Sequence, residues 1–312
     1  MINKASDKSS FQIALARLLF IRQVCIVKNE FLAGGTFGMR YSISKISRIV
    51  GISTEAVRLY EKKGVVSPQR NSENGYRSFH TLDVGTLLRC RTYAQMGFSL
   101  DETAELINGT NVQDVHALLS RQADAMEHEM EWHRRTLNRV RDLNRQILAC
   151  EKDAGTFRIE AHPGIFQLDY RHNDAILDDE ARMALYPEWS AWVPLSFVSL
   201  RFPLDALERG ETEYYGGIGI MAEDAHFLGV AVNEYVRCLP AHLAVRGVLR
   251  IPGERRIRPE DFSDAFSFIR SSGLKPCGDP FTRMIVTVNR YTENFMRYYE
   301  MWIPVDSKMQ QK

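Results

Sequence analysis

Apolar positions change their period several times along this chain, and each change marks a predicted element. In "YSISKISRIVGISTEAVRLYEKKGV", Tyr41 to Val65, the residues Ile46, Ile49 and Val50 keep helical spacing, Gly51 breaks it, and Ala56, Leu59 and Tyr60 take it up again. The spacing predicts two short helices, the first capped by Ser44, the second capped by Ser53 or Thr54 and stopped at Gly64. So tight a succession is the helix-turn-helix pattern. "SPQRNSENGYRSF" follows, and its Asn74-Gly75 dipeptide is a strong hairpin signal, which predicts a wing. "TLDVGTLLRCRTYAQMGFSLDETAELIN" then carries two more helices, one opened by Thr81 and turned at Met96-Gly97-Phe98, the next begun by a capping box of Ser99 and Glu102.

From Asn111 to Cys150 there is no Gly or Pro, and Ala, Glu, Arg, Leu and Met dominate, so one long helix is expected. Leu119, Ala123, Met126, Met130, His133, Leu137, Val140, Asn144 and Ile147 fall on an a/d series, the pattern of a coiled-coil seam between two chains, with His133 and Asn144 setting register. The dimerisation residues are therefore Leu119, Met126, Met130, Leu137, Val140 and Ile147. From Thr156 onward the pattern becomes strand-rich and echoes itself. "AHPGIFQLDYR" resembles "LPAHLAVRGVLR", and "YYGGIGIMAE" resembles "YYEMWIPVD", with a helical stretch inside each half. The fold class expected is multidomain, α and α+β: a winged helix-turn-helix, a long dimerisation helix, and a duplicated strand-helix-strand domain. Its expected boundaries are 1–38 for an N-terminal extension, 39–110, 111–150, 156–306, and a tail at 307–312.

Composition changes this picture at a few points. The 312 residues, 45% hydrophobic and 25% charged, are enough for more than one core. A net charge of +1 hides local imbalance, because Arg40 to Arg77 holds eight basic against three acidic residues, which suits a polyanion. The five cysteines are scattered without a C-x-x-C pair, so neither a disulfide framework nor a zinc site is indicated and a reducing, cytoplasmic setting is expected. The apolar run "FQIALARLLFIRQVCIV" is interrupted by Arg17 and Arg22, which argues against a membrane span or a signal segment. Met39 stands just before the first well-patterned element, so residues 1–38 are expected to be disordered or to lie upstream of the native start.

The chemistry-bearing residues fall into two groups. Ser53, Thr54, Arg58, Tyr60 and Lys62 on the second helix, with Arg70, Tyr76 and Arg77 on the wing, form a candidate interface with double-stranded DNA. Arg58 would reach base edges in the major groove, and Arg70, Tyr76 and Arg77 would hold phosphates. The second group centres on Glu300. Tyr299, Met301 and Ile303 share one face of its strand and Trp302 lies beside it on the other, so both faces look buried, and a carboxylate there is costly unless paired. The matching position in the first half is Gly216. Glu300 would then face a pocket and attract a small cationic or aromatic effector, with Trp302, Tyr170, Trp192, Tyr214, Tyr235 and Tyr291 as walls; the alternative is an internal pair with Arg283 or Arg246.

The string "VRLYEKKGVVSPQRNSENGYRSF" followed by "MGFSLDETAELI" resembles the N-terminal domain of MerR-family transcription regulators over Tyr41 to Asn108, with Leu59 and Phe79 standing where Tyr is usual. Phe157 to Val305 resembles the GyrI-like effector-binding domain, its closing "YYEMWIPV" most of all. The resemblance implies a homodimer joined through an antiparallel helix pair on promoter DNA, and an effector that makes it distort the promoter so that RNA polymerase engages. It also implies an acidic residue at Glu300. Metal-sensing relatives place cysteines about the ends of the long helix, where this chain has only Cys150, so no metal and no cofactor is expected. No Ser-His-Asp or Cys-His constellation is evident, so an enzyme is not expected, a GyrI-like hydrolase or a ligand-sequestering protein being the rival readings.

Overall fold

The computed structural model describes residues 39–70, 75–108 and 111–307, so residues 1–38, Asn74 of the hairpin dipeptide and the end of the tail lie outside what is described. The chain divides into two compact units between Glu127 and His128.

The first unit opens with β1 (Arg40–Tyr41) and α1 (Ile43–Val50). The cap of α1 is Ser42, whose Oγ accepts the Lys45 N–H at 3.3 Å, and not Ser44, which is already inside the first turn. Gly51, at φ 70°, ends the helix in the left-handed conformation that a residue with a Cβ avoids. Ser53 then caps α2 (Thr54–Lys62) by accepting the Ala56 N–H at 3.0 Å. β2 (Gln69–Arg70) and β3 (Arg77–His80) pair antiparallel with Arg70 opposite Arg77, and β1 adds to the other edge of β3. α3 (Thr81–Gln95) follows, and Ser99 and Glu102 form the expected reciprocal cap ahead of α4 (Leu100–Asn108). Ile46, Val57, Phe79 and Leu87, all fully buried, knit these helices and the wing into one core. α5 (Val112–Asp153) runs for 42 residues and is started by Asn111, which accepts the Asp114 N–H at 2.9 Å.

The second unit is built on an antiparallel sheet. In chain order its elements are β4 (Phe157–His162), β5 (Ile165–His172), β6 (Ala175–Ile176), the short helices α6 (Glu180–Met183) and α7 (Tyr186–Ala191), and β7 (Ser196–Arg201). Then come α8 (Leu204–Glu208), β8 (Tyr215–Met221), α9 (Ala222–Leu228), β9 (Val236–Leu239) and β10 (His242–Pro252). A 3-10 turn at Pro259–Phe262 leads into α10 (Ser263–Ser271), and β11 (Leu274–Pro276), β12 (Phe281–Val288) and β13 (Met296–Ser307) close the chain. The strands lie in the order β4-β10-β13-β12-β7-β8-β5-β6, with β11 added beside β13 and β9 beside β5.

β13 is buried on both faces, which explains its nearly unbroken apolar sequence. Tyr299, Met301, Ile303 and Val305 join Leu249, Ile251, Phe262 and Ile269 in the largest core, while Tyr298 on the alternate face packs with Cys150, Val248 and Ile285. No helix among the described residues is long and apolar enough to cross a membrane. All four tryptophans lie beyond residue 127, so their fluorescence reports on this unit alone. Replacing the fully buried Ile303 by Ala removes methyl groups from a closed core and should lower the unfolding free energy by about 2–5 kcal/mol. Urea denaturation followed by tryptophan emission checks this, and an unchanged midpoint would contradict the packing described.

Candidate functional site

The face that α2 leaves outward is set by what its other face buries. Val57 and Tyr60 are the buried pair, one turn apart, while Leu59 is 47% exposed. The buried stripe therefore runs through Val57 and Tyr60, not through Ala56 and Leu59. Tyr60 belongs to the core at 6% exposure and is removed from the outward set. Ser53 is occupied as the cap, and Thr54 is half-buried with its Oγ1 donating to the Glu55 carboxylate at 3.1 Å. Arg58 and Lys62, four residues apart and so on one side of the helix, are exposed.

Acidic neighbours decide which of the remaining cations stay free. Arg77 was expected on phosphate, but its Nε donates to Glu61 at 2.7 Å, a half-buried pair that ties β3 to α2. This pairing relieves the repulsion between Arg77 and Arg70, which face each other across the hairpin. Lys63 is drawn to Asp101. Arg70 is exposed, and Tyr76 is 75% exposed beside it. Of the expected DNA-facing cations, Arg58, which also approaches Glu55 at 4.0 Å, Lys62 and Arg70 therefore point outward, and Lys45 and Arg48 of α1 are exposed as well.

In the second unit, Glu300 is 2% exposed and fully engaged. Arg246 Nε donates to its Oε1 at 2.7 Å, Arg283 Nη2 to its Oε2 at 2.5 Å, and Gln146 of α5 adds a bond of 3.2 Å to Oε1. Burial alone would raise the carboxyl's pKa, but the Arg283 and Arg246 guanidinium groups outweigh burial and hold it below the usual glutamate value. The internal alternative is therefore the one observed, with both arginines at once. Nearby Arg139 has Nη1 buried without a hydrogen bond among the described residues, and burial, reinforced by the like charge of Arg283, pushes its pKa down to about 10.

The expected aromatic walls do not converge. Trp302 is buried against His162, 4.9 Å between ring centres, and Trp192 packs on Trp189 at 5.8 Å. Tyr235 lies under the Arg182 guanidinium at 5.1 Å and Tyr170 near that of Arg171 at 5.7 Å. Tyr291 is 93% exposed and walls nothing. They separate because successive strand residues face opposite ways and because these side chains sit on different strands and loops. Tyr214 alone among them lines a cleft of about 300 Å³, together with Leu200, Phe202, Ile257 and Tyr299. Arg171 and Arg297 also line it, each with an Nε that makes no hydrogen bond among the described residues. Linear spacing gives no sign of this grouping, since Arg171 and Tyr299 meet only through the sheet order.

Two helices crossing at a Gly turn, followed by a wing that carries outward cations, define a winged helix-turn-helix DNA-binding protein. The model for the MerR HTH family regulatory proteins matches residues 41–110. The HTH-type transcriptional regulator CueR of Escherichia coli O157:H7 is 36% identical over 106 residues, which is 34% of this chain and 70% of that one. CueR of Salmonella typhi is 33% identical over 125 residues, 39% of this chain and 82% of its own. Among solved structures, the EcmrR-DNA complex spans 86% of this chain and 100% of its own at 14% identity and a TM-score of 0.35. The chain belongs to the MerR family, and it is a DNA-binding transcriptional regulator.

The Glu300 network gives a stability prediction. Glu300→Gln leaves two guanidinium ions facing a neutral amide and should lower the unfolding free energy at neutral pH by about 3–5 kcal/mol. The folded carboxyl titrates below its ordinary value of 4.5, so the network's contribution is complete above that pH and fades as pH falls through the folded value. Urea denaturation of both forms across this range checks it; equal stability at neutral pH would show that the three charges are not coupled.

Proposed function

We propose that the protein works as a homodimer that sets two winged modules, residues 39–110 of each copy, on a two-fold symmetric promoter site. A small effector held by residues 156–306 then shifts the dimer between two DNA-bound states. The observation that carries this reading is the row of apolar side chains exposed along α5. Met126, Met130, Leu137, Val140 and Ile147 are each at least 41% exposed, spaced in sevens and alternating threes and fours, and Leu119 continues the row toward the N-terminus. Such a row calls for a second copy of itself.

Within each module Arg58 and Lys62 reach the major groove, where base edges are distinguishable, and Arg70 and Tyr76 hold the phosphates. Arg77 acts by anchoring the wing. The strand order supports a duplicated effector domain: outward from the β7–β12 pair, β7-β8-β5 on one side answers β12-β13-β10 on the other, in agreement with the sequence echo. The effector site is the cleft beside Tyr214 and Tyr299. With Glu300 already neutralised, its ligand is a small amphipathic molecule rather than a simple cation. An effector that binds one dimer state better supplies the free energy to deform the promoter, which lets RNA polymerase engage.

Replacing Met130 and Leu137 together by Lys should convert the dimer into monomers by light scattering and abolish binding to a symmetric duplex; a retained dimer would remove the seam. Arg70→Ala should weaken DNA binding for all sequences and reduce the slope of log affinity against log salt by about 0.9 per module. A slope equal to that of the parent protein would take Arg70 off the phosphates.

A further inference from the structure

At one end of the C-terminal sheet, three strands bring together side chains far apart in sequence. His242 is the first residue of β10, Asp306 lies near the end of β13 opposite Lys275 of β11, and Cys277 follows β11 directly. Cys277 Sγ is 4.0 Å from His242 Nε2, and that nitrogen is 3.5 Å from Asp306 Oδ1. Among the described residues this is the one group of three or more His, Cys, Asp or Glu whose ligand atoms lie within 4.8 Å of one another. The three residues share a cleft of about 200 Å³, so the point between them is reachable from outside.

The disposition of the imidazole decides what such a group can do. A nucleophilic Cys-His-Asp relay needs the acid on one ring nitrogen and the thiol on the other. Here Cys277 and Asp306 both approach Nε2, while Nδ1 is 2.9 Å from the Leu243 carbonyl. Donation from Nδ1 to that carbonyl leaves the Nε2 lone pair toward the other two donors, and it is the support that metal-bound histidines usually have. A thiolate, an imidazole and a carboxylate around one point suit Zn²⁺, whose bonds of about 2.0–2.3 Å put neighbouring donors about 3.3–3.6 Å apart. The separations seen are within about half an ångström of that. The backbone is braced as well: the Cys277 N–H donates to the Pro304 carbonyl at 3.0 Å, and Gly278 sits so close that a Cβ there would lie 3.3 Å from Pro304.

We propose that His242, Cys277 and Asp306 form a zinc site with three protein ligands and a fourth position open to solvent, joining the ends of β10, β11 and β13. Three ligands with one exchangeable position are the arrangement of zinc sites that bind a further molecule. The site is separate from the ends of α5, where the family resemblance would look for cysteines.

The test is a Co²⁺ titration of the reduced, chelator-treated full-length protein. Co²⁺ takes the same ligands and gives a thiolate charge-transfer band, which Zn²⁺ should then abolish by displacement. The band should be lost in Cys277→Ser and kept in Cys238→Ser, the other exposed cysteine among the described residues. His242→Ala should weaken Zn²⁺ at least about tenfold in competition with a chromophoric chelator. Absence of the band in the parent protein, its persistence in Cys277→Ser, or an unchanged Zn²⁺ affinity in His242→Ala would each overturn the assignment. All three positions are partly or well exposed, so these substitutions leave the core intact.

Discussion

A carboxylate in the middle of a two-sided sheet strand cannot stay ionised unless cations are buried with it, and this constraint organises the second unit. Glu300 takes Arg246 from β10 on one side of its strand, Arg283 from β12 on the other, and Gln146 from α5 above. Four elements are fixed by one side chain, and their geometry is directional in a way that apolar packing is not. Such a network adds little net stability over a well-packed apolar substitute, but the loss of one member exposes the desolvation cost of the others. The same network leaves the Glu300 carboxylate no free charge to offer a ligand, which is why the effector site proposed above is the cleft beside Tyr214 and Tyr299.

In the first unit, counter-charges play the corresponding part on the surface. Glu61 and Asp101 each take up a cation, Arg77 and Lys63, while Lys45, Arg48, Arg58, Lys62 and Arg70 remain exposed. Glu61 also lets two arginines face each other across the wing, so the hairpin keeps its register without repulsion at its base.

How much of this was legible depended on range. Signals carried by neighbours a few residues apart were readable: the Gly51 turn, the Ser53 cap, the Ser99 and Glu102 box, and a helix expected over 111–150 where Val112–Asp153 is helical. A shift of one residue in helical phase placed Ala56 and Leu59 in the core instead of Val57, because Ala and Leu fit that stripe as well as Val does. Pairings set by tertiary approach were not readable. Nothing in the sequence says that Arg77 turns back to Glu61 sixteen residues away, or that His242 and Cys277 meet at a sheet end. Glu300 is intermediate: its burial followed from the apolar run around it, and both arginines had been named as alternatives, but that the two would bind together depended on strand order.

Gly216 and Glu300 occupy matching places in the two echoing segments, and the sheet treats them in opposite ways. A Cβ on Gly216 would run into the side chain of Arg171, which already fills that space, whereas Glu300 without its two arginines would be an unpaired buried charge. A side chain at Gly216 therefore requires Arg171 to move, and loss of the Glu300 carboxylate leaves Arg246 and Arg283 without their shared counter-charge. At this one buried position the two echoing segments thus hold opposite chemistry, a cation filling the space over a glycine in one and a carboxylate drawing two cations in the other.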